Sequence, residues 1–126
     1  MTKAEAYDKA WRLGLKGDFS LVDKIYHPDY SAYDYRAGVE VNLEMDKVVF
    51  STLSENAPIL GRTRTIFEDE NFVCIERTFK AVRAGEAGSA VGIFTLTYLN
   101  GLIITAETVA ESDVQDPSEG QDWNWE

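Results

Sequence analysis

The chain has 126 residues, 44% of them hydrophobic, which suits one globular domain and is too short for two ordinary ones. A formal net charge of −10 opposes binding to nucleic acids and to anionic membranes, because both attract clustered Lys and Arg. The single cysteine, Cys74, excludes an intrachain disulfide, and neither a secretory signal nor an apolar run of about 20 residues is present, so we expect a cytoplasmic protein.

The N-terminal part of the chain has the periodicity of two helices. Thr2 and Glu5 have the spacing of a capping box, and the segment from Thr2 to Leu15 carries a wide apolar face. That face is formed by Ala6, Tyr7, Ala10, Trp11, Leu13 and Leu15. Asp18 is expected to cap a short second helix, which must end before Pro28.

A short strand and a third helix are predicted next. Residues 30–35 are rich in aromatic side chains and have the composition of a strand. Asn42 is placed to cap a helix that continues to about Ser54, with acidic residues in its first turn, where the helix dipole favours negative charge. Val49 and Leu53 are predicted to face the interior.

The second half of the chain has the two-residue periodicity of an antiparallel meander. Asn100–Gly101, between two apolar runs, is a strong hairpin signal. A loop containing Gly85 and Gly88 separates the second and third strands. The predicted strands are Arg62–Glu68, Phe72–Val82, Ala90–Leu99 and Leu102–Glu111. Helices followed by an antiparallel sheet indicate an α+β fold.

The predicted two-residue turn determines which residues share a face of the last hairpin. It pairs Thr97 with Ile104 and Thr95 with Ala106. The face that contains these residues and Thr108 is rich in hydroxyl groups, which could bind a ligand or simply fill the sheet surface. We assign this face to the helices.

The opposite face of the hairpin is also apolar. It carries Phe94, Leu96, Tyr98 and Ile103. Because so large an apolar sheet face is unusual on a monomer, we predict a homodimer that forms through it as the convex face of the sheet.

The C-terminal segment differs in composition from the rest. Residues 1–111 form the predicted domain, and residues 112–126 form a tail with five acidic and no basic residues. The tail also contains Trp123 and Trp125, which favour docking on the domain or on a partner subunit over a purely solvated tail.

The segment WRLGLKGDFSLVDKIYHPDYSAYDY resembles the nuclear transport factor 2-like superfamily, and its SnoaL-like branch in particular. The shared features are a helix with an aromatic residue, a Gly-Asp break, a short helix and a short strand, followed by a third helix and the meander. The resemblance covers residues 3–111. It implies a cone-shaped, curved antiparallel sheet wrapped around three helices, with a cavity between them. The family contains ketosteroid isomerases, polyketide cyclases, dehydratases, epoxide hydrolases and non-enzymatic binding proteins.

The resemblance places Asp34 in the register of the general-base aspartate of ketosteroid isomerases. A carboxylate at the mouth of an apolar cone is desolvated, which raises its pKa and suits proton abstraction. The alternative is a solvent-facing Asp beside Arg36. The other isomerase donors are missing, because their positions fall on Ala10 and near Thr95, so a steroid isomerase is not predicted.

Arg77 is the second catalytic candidate. It lies in the middle of an apolar alternation on its strand, where a charge needs a partner or a ligand. It could bind a carboxylate or polarise a carbonyl group. The alternatives are a structural ion pair, or a register that turns Arg77 outward and Glu76 inward.

The remaining candidates are aromatic residues and one histidine. Trp11 and Tyr30 are either core residues or lining of a ligand pocket. His27 either meets the C-terminus of the second helix or acts as a base with Asp29 or Asp34. No ligand spacing indicates a metal and no phosphate-binding loop is present, so we expect neither a metal nor a cofactor.

The sequence leaves two functional hypotheses. The first is a pocket protein for a small hydrophobic or carbonyl-containing molecule, acting by proton transfer as an isomerase, cyclase or hydratase. The second is a non-catalytic ligand-binding or dimeric interaction module whose cavity is filled by its own side chains.

Overall fold

A computed structural model describes residues 1–34, 38–55, 59–83 and 86–112. The tail residues Trp123 and Trp125 lie outside the described residues. The elements in chain order are α1 Lys3–Gly14, α2 Ser20–Ile25, β1 Ala32–Asp34, β2 Val39–Val41, α3 Leu43–Glu55, β3 Ile59–Glu68, β4 Phe72–Arg83, β5 Glu86–Leu99 and β6 Leu102–Ser112. The predicted α+β class is confirmed, with the helices before a four-stranded antiparallel sheet in the order β3-β4-β5-β6.

Helix α1 is fixed at its N-terminus by two sets of hydrogen bonds. The predicted capping box is present, because the Thr2 hydroxyl accepts from the Glu5 amide at 3.1 Å and the Glu5 carboxylate accepts from the Thr2 amide. The Glu68 carboxylate on β3 accepts from the amides of Lys3 and Ala4 at 3.3 and 3.0 Å. A negative charge at the positive end of the helix dipole therefore joins α1 to the sheet.

Helix α2 begins one residue later than a cap at Asp18 would place it. Phe19 occupies the N-cap position, and Asp18 accepts instead from the Ser20 amide and hydroxyl. The cap of α3 is confirmed, because Asn42 Oδ1 accepts from the Met45 amide at 3.0 Å.

The predicted inward face of α3 is wrong for Val49, whose side chain is 57% exposed. Phe50 packs on the core instead, with its ring centroid 4.3 Å from that of Trp11. Phe50 lies four residues after Asp46, so both side chains are on one helical face. The larger aromatic ring removes more apolar surface from water than valine would, which explains this orientation.

The strands differ from prediction mainly at their ends. The Asn100–Gly101 hairpin is confirmed, with positive φ angles of 55° and 80° as a type I′ turn requires. The loop expected around Gly88 is shorter, because β5 begins at Glu86 and Gly88 pairs with Ala81. A small second sheet forms between β1 and β2, and its β2 strand was not predicted.

A β-bulge changes the predicted register of the last hairpin. Leu99 pairs with Leu102 and Tyr98 with Ile103, as expected, but Thr97 then pairs with Thr105. The predicted pair of Thr97 with Ile104 is therefore wrong. Every later pair shifts by one residue, as a bulge requires.

The two faces of the sheet are the reverse of the assignment from sequence. The inner face, toward the helices, buries Leu96, Tyr98 and Ile103, with Phe94 packed against them. These residues cannot form a convex dimer face. Burying large aliphatic and aromatic groups is more favourable than burying threonine hydroxyls, which need hydrogen-bond partners.

The threonines predicted to bind a ligand are not in the core. Thr95 and Thr97 alternate with Leu96 and so lie on the outer face, away from the helices. Thr95 Oγ1 is hydrogen-bonded to the Glu107 carbonyl at 3.5 Å. Thr108 pairs with Phe94 and is exposed on the edge strand β6. Placing Thr95 and Thr97 inside the cavity was wrong.

Candidate functional site

A cluster of hydroxyl groups lies among the aromatic side chains of the core. Trp11 Nε1 donates to the Tyr26 hydroxyl at 3.0 Å, and the hydroxyls of Tyr26 and Tyr7 are hydrogen-bonded. The Tyr26 and Tyr30 rings meet edge to face at 4.7 Å between centroids. Burial raises the pKa of Tyr7 to about 12, although the charge of Arg77 opposes the shift. These phenols remain protonated hydrogen-bond donors at physiological pH.

Tyr30 connects this cluster to a carboxylate. Its hydroxyl, on a residue only 7% exposed, donates to Asp46 Oδ2 at 2.9 Å. Burial raises the pKa of Tyr30, and the negative charge and hydrogen bond of Asp46 raise it further. The pair therefore combines a phenol that keeps its proton with a carboxylate that can take one.

Tyr30 also forms part of the wall of a surface cleft of about 360 Å³. Tyr26, His27 and Tyr30 form one side of the cleft at the end of α2, and Asn42 and Leu43 form the other at the start of α3. This volume is within the range of small-molecule sites. A ligand in the cleft would lie against the ring or hydroxyl of Tyr30.

An ion-pair network holds α2 and α3 together beside the cleft. Lys47 Nζ lies 2.5 Å from Asp23 Oδ1 and 3.1 Å from Glu44 Oε1. The hydrogen bond to Asp23 raises the pKa of Lys47, desolvation opposes this shift, and the hydrogen bond to Glu44 adds to it. The charge of Lys47 is thus shared between two carboxylates that both line the cleft.

Arg77 points inward, so the register that would place Glu76 inside does not occur. Its side chain is 1% exposed and its Nη2 donates to Asp8 Oδ1 at 3.1 Å. The guanidinium lies against the rings of Tyr7 and Phe94, with its central carbon 5.3 and 5.7 Å from their centroids. Glu76 pairs with Arg64 instead.

Asp8 is the centre of a wider polar cluster between α1 and the sheet. Besides Arg77, it accepts from Arg12 Nε at 2.8 Å and from the Thr63 hydroxyl at 2.6 Å. Partial burial alone would raise the pKa of Asp8, but the hydrogen bonds from Arg12 and Thr63 and the charge of Arg77 hold it below its ordinary value. Arg77 Nε is buried and has no hydrogen-bond partner among the described residues. Such an atom is a donor that a water or a ligand oxygen could satisfy.

The other predicted site residues take varied positions. Asp34 is in β1 and pairs with Val39, but its side chain lies outside the described part of the chain. Trp11 is a buried core residue, stacked on Phe50. His27 Nδ1 accepts from the Asp29 amide at 3.0 Å, which places the proton of the neutral ring on Nε2.

Sequence reasoning did not identify Asp46 or Asp8 as site residues. Asp46 had been explained by the helix dipole, and the available signal was its position four residues before Phe50 on one helical face. Asp8 lies beside Tyr7 in an i,i+4 pair with Arg12.

Within the described ranges, no group of three or more acidic, His or Cys side chains could hold a metal ion, and no helix is long and apolar enough to cross a membrane.

Comparison with solved structures identifies the fold. IdmH, a proposed polyketide cyclase from Streptomyces antibioticus, matches with a TM-score of 0.69 at 11% identity, over 85% of this chain and 90% of that one. A proposed SnoaL-like polyketide cyclase from Jannaschia also gives 0.69 at 11% identity, over 87% and 84% of the two chains. A protein of unknown function with a cystatin-like fold from Xanthomonas campestris gives 0.66 at 15% identity, over 91% and 95%.

The chain therefore has the nuclear transport factor 2-like fold, the cystatin-like α+β fold of SnoaL-like proteins, as the sequence resemblance implied. No protein-family model matches the sequence, and no curated protein is significantly similar to it. At these identities the likeness concerns the fold, and the chemistry must be argued from the site.

Proposed function

We propose that this protein binds a small hydrophobic or carbonyl-containing molecule in the cleft between α2 and α3 and transfers a proton, as an isomerase, cyclase or hydratase does. The observation that carries the proposal is the hydrogen bond from Tyr30, in the cleft wall, to the Asp46 carboxylate. The proposed cyclase activity of two proteins with this fold supports the same reaction class.

The Tyr30–Asp46 pair can act as a proton relay. As the Tyr30 oxygen takes a proton from the ligand, Tyr30 passes its own proton to Asp46, so the negative charge moves from the carboxylate to the ligand. Tyr30 alone is a poor base, and Asp46 supplies the missing basicity. Asn42, which also lines the cleft, can stabilise the new charge. Its Oδ1 atom accepts the hydrogen bond that caps α3, so its side-chain amide nitrogen is the atom that can donate to the ligand.

Asp34 and Arg77 keep the roles predicted for them within this proposal. Asp34, four residues after Tyr30 on β1, is the alternative base. Arg77 is already paired with Asp8 and lies behind the residues of the cleft wall, so it would act only on a ligand that reaches its buried Nε atom. A carbonyl or carboxylate oxygen is the acceptor that this donor would fit.

A non-catalytic binding module is the second candidate function. Its supporting observation is the filled interior, in which Trp11 packs on Phe50 and Arg77 packs against Tyr7 and Phe94. In this case the cleft binds a ligand, or a partner binds the surface, with no proton transfer.

Ligand capture tests the proposed site. We expect native mass spectrometry of the full chain, incubated with a panel of cyclic and aromatic ketones, to show a bound molecule whose affinity falls at least tenfold in Tyr30→Phe. Tyr98→Phe is the matched control, because Tyr98 is equally buried but lies beside Lys3 at the N-terminus of α1 instead of in the cleft wall. Equal affinity in Tyr30→Phe and Tyr98→Phe would exclude the cleft as the binding site.

A further inference from the structure

We propose that the C-terminal tail, residues 113–126, docks on the exposed apolar face of α3 in its own chain through Trp123 or Trp125. This intramolecular interface is independent of the proposed chemistry. It would cover a helix face that the described part of the protein leaves accessible to water, and it would give the two tail tryptophans a place to bury their rings.

The surface consists of Met45 and Val49, which we call the α3 patch. Their side chains are 47% and 57% exposed, and Val48 beside them is 65% exposed. Residues four apart lie one above the other on a helix, so Met45 and Val49 form a continuous apolar strip. Single exposed apolar residues need no explanation, but three within five positions of one helix form a patch.

The size of the α3 patch favours a single inserted side chain over a second protein. An indole buries roughly 150–250 Å² and combines an apolar ring with one N–H donor that can remain in water. One tryptophan therefore matches a strip of two or three side chains. A stable protein–protein interface needs about 800 Å² on each partner, far more than this strip offers.

The geometry of the sheet places the start of the tail within reach of α3. Ser112, the last residue of β6, pairs with Ala90, Ala90 pairs with Phe79, and Phe79 pairs with Leu60. Leu60 is the second residue of β3, the strand that follows α3. Three strand spacings of about 4.8 Å therefore separate Ser112 from the strand that α3 precedes.

The tail is long enough to cover the remaining distance. From Leu60 back to Glu55 the chain spans at most about 17 Å, and from Glu55 back to Val49 helix α3 is about 9 Å long. Extended chain spans about 3.3 Å per residue, so Trp125 can lie up to about 43 Å from Ser112. This exceeds the sum of these two distances and the three strand spacings, which is about 40 Å, and the acidic residues between Ser112 and Trp123 can stay in solvent along the way.

Methyl NMR of the full chain tests the proposal directly. The sequence has two methionines, so protein labelled with ¹³C at the methionine methyl groups gives one signal from Met45 and one from Met1. If an indole ring covers the α3 patch, its ring current should move the Met45 methyl signal upfield. The double variant Trp123→Leu/Trp125→Leu should remove that shift, while the Met1 signal stays in place as the internal reference.

Two controls separate the possible origins of a shift. Val49→Lys should also abolish it, because the charge disrupts the apolar strip, whereas Ile93→Lys on the outer sheet face should leave it intact. A Met45 signal that is unchanged by the double tail variant would overturn the proposal. A shift that disappears on dilution would overturn it too, because the tail would then come from a second molecule.

Discussion

At the scale of single residues, the charge of Arg77 is held inside the protein by Asp8 and by two aromatic rings. A buried charge is costly unless it is paired, and removing one partner of such a pair leaves the other uncompensated. Asp8 also binds Arg12 on α1 and Thr63 on β3, so one carboxylate joins a helix to two strands. Its removal should therefore affect the whole domain.

Asp8→Asn is expected to lower the free energy of unfolding by about 3 kcal/mol at pH 7, because it removes the charge opposite Arg77. Urea denaturation followed by circular dichroism measures this change. Asp29→Asn, at an exposed position, is the control and should have almost no effect.

The effect of Asp8→Asn should also depend on pH. The pKa of Asp8 is lower in the folded chain than in the unfolded one. Between these two pKa values the unfolded chain binds more protons than the folded chain, so stability rises with pH. The contribution is complete above the unfolded value of about 3.9 and is lost as the pH falls through the folded value. Wild type and variant should therefore converge below about pH 4, and an equal difference at pH 7 and pH 3 would contradict this explanation.

At the scale of secondary-structure elements, strand β3 depends on the absence of a side chain at Gly61. A Cβ atom there would overlap the Thr78 hydroxyl and lie 3.0 Å from the Thr78 carbonyl oxygen on β4. The Gly61 carbonyl also accepts from Arg12 Nη2 at 2.6 Å. The lack of a side chain at Gly61 thus allows β3 to pack closely against both β4 and α1. Gly61 also lies where the register between β3 and β4 shifts.

Gly61→Ala is expected to destabilise the protein by about 1–3 kcal/mol, since the added methyl group forces β3 and β4 apart. Thermal or urea unfolding measures the loss. Adding Thr78→Ala should restore part of it by removing the hydroxyl, while the contact with the carbonyl oxygen remains. No recovery in the double variant would mean that the hydroxyl is not the source of the strain.

The elements themselves could be predicted where the determining interactions are local. The caps formed by Thr2 and Asn42 and the turn at Asn100 involve residues at most three positions apart, and their sequence signals are specific. The bulge at Ile104 on β6 has no such signal. It changes the partners of Thr95 and Thr97, and the reversed face assignment places both on the outer face.

The candidate site was less predictable because its contacts join distant parts of the chain. Asp8 and Arg77 are 69 positions apart, and Tyr30 and Asp46 are 16 apart. Each acidic residue has a sufficient local explanation, in an i,i+4 pair or a helix dipole. Only the packing of α1 and α3 shows that they contact Arg77 and Tyr30.

At the scale of the whole molecule, the outer face of the sheet is the main apolar surface among the described residues. It carries large exposed side chains from three strands, namely Phe67, Ile93, Leu99 and Val109, and Phe72 packs beside Phe67. A surface of this kind indicates an interaction site. The homodimer stays a prediction, and the residues that would form it are these, instead of Leu96, Tyr98 and Ile103.

Light scattering at micromolar concentration should give twice the mass of the chain, and Ile93→Lys should reduce it to a monomer. A charge at the centre of an apolar interface is left without a partner, which strongly disfavours association. Val49→Lys, an equivalent change on α3, should leave the mass unchanged. A monomeric wild-type protein would contradict the prediction.

Solvent exchange into a bound ligand tests the proposed proton transfer most directly. With a ketone that the protein binds, incubated in D₂O and followed by NMR, the wild type should catalyse incorporation of deuterium next to the carbonyl group. Asp46→Asn should slow this by about 100-fold or more, because it removes the proton acceptor and keeps the shape. If Asp34→Asn alone has that effect, Asp34 is the base and the relay through Tyr30 is wrong. Binding with no incorporation by the wild type would contradict proton transfer and leave a non-catalytic binding protein.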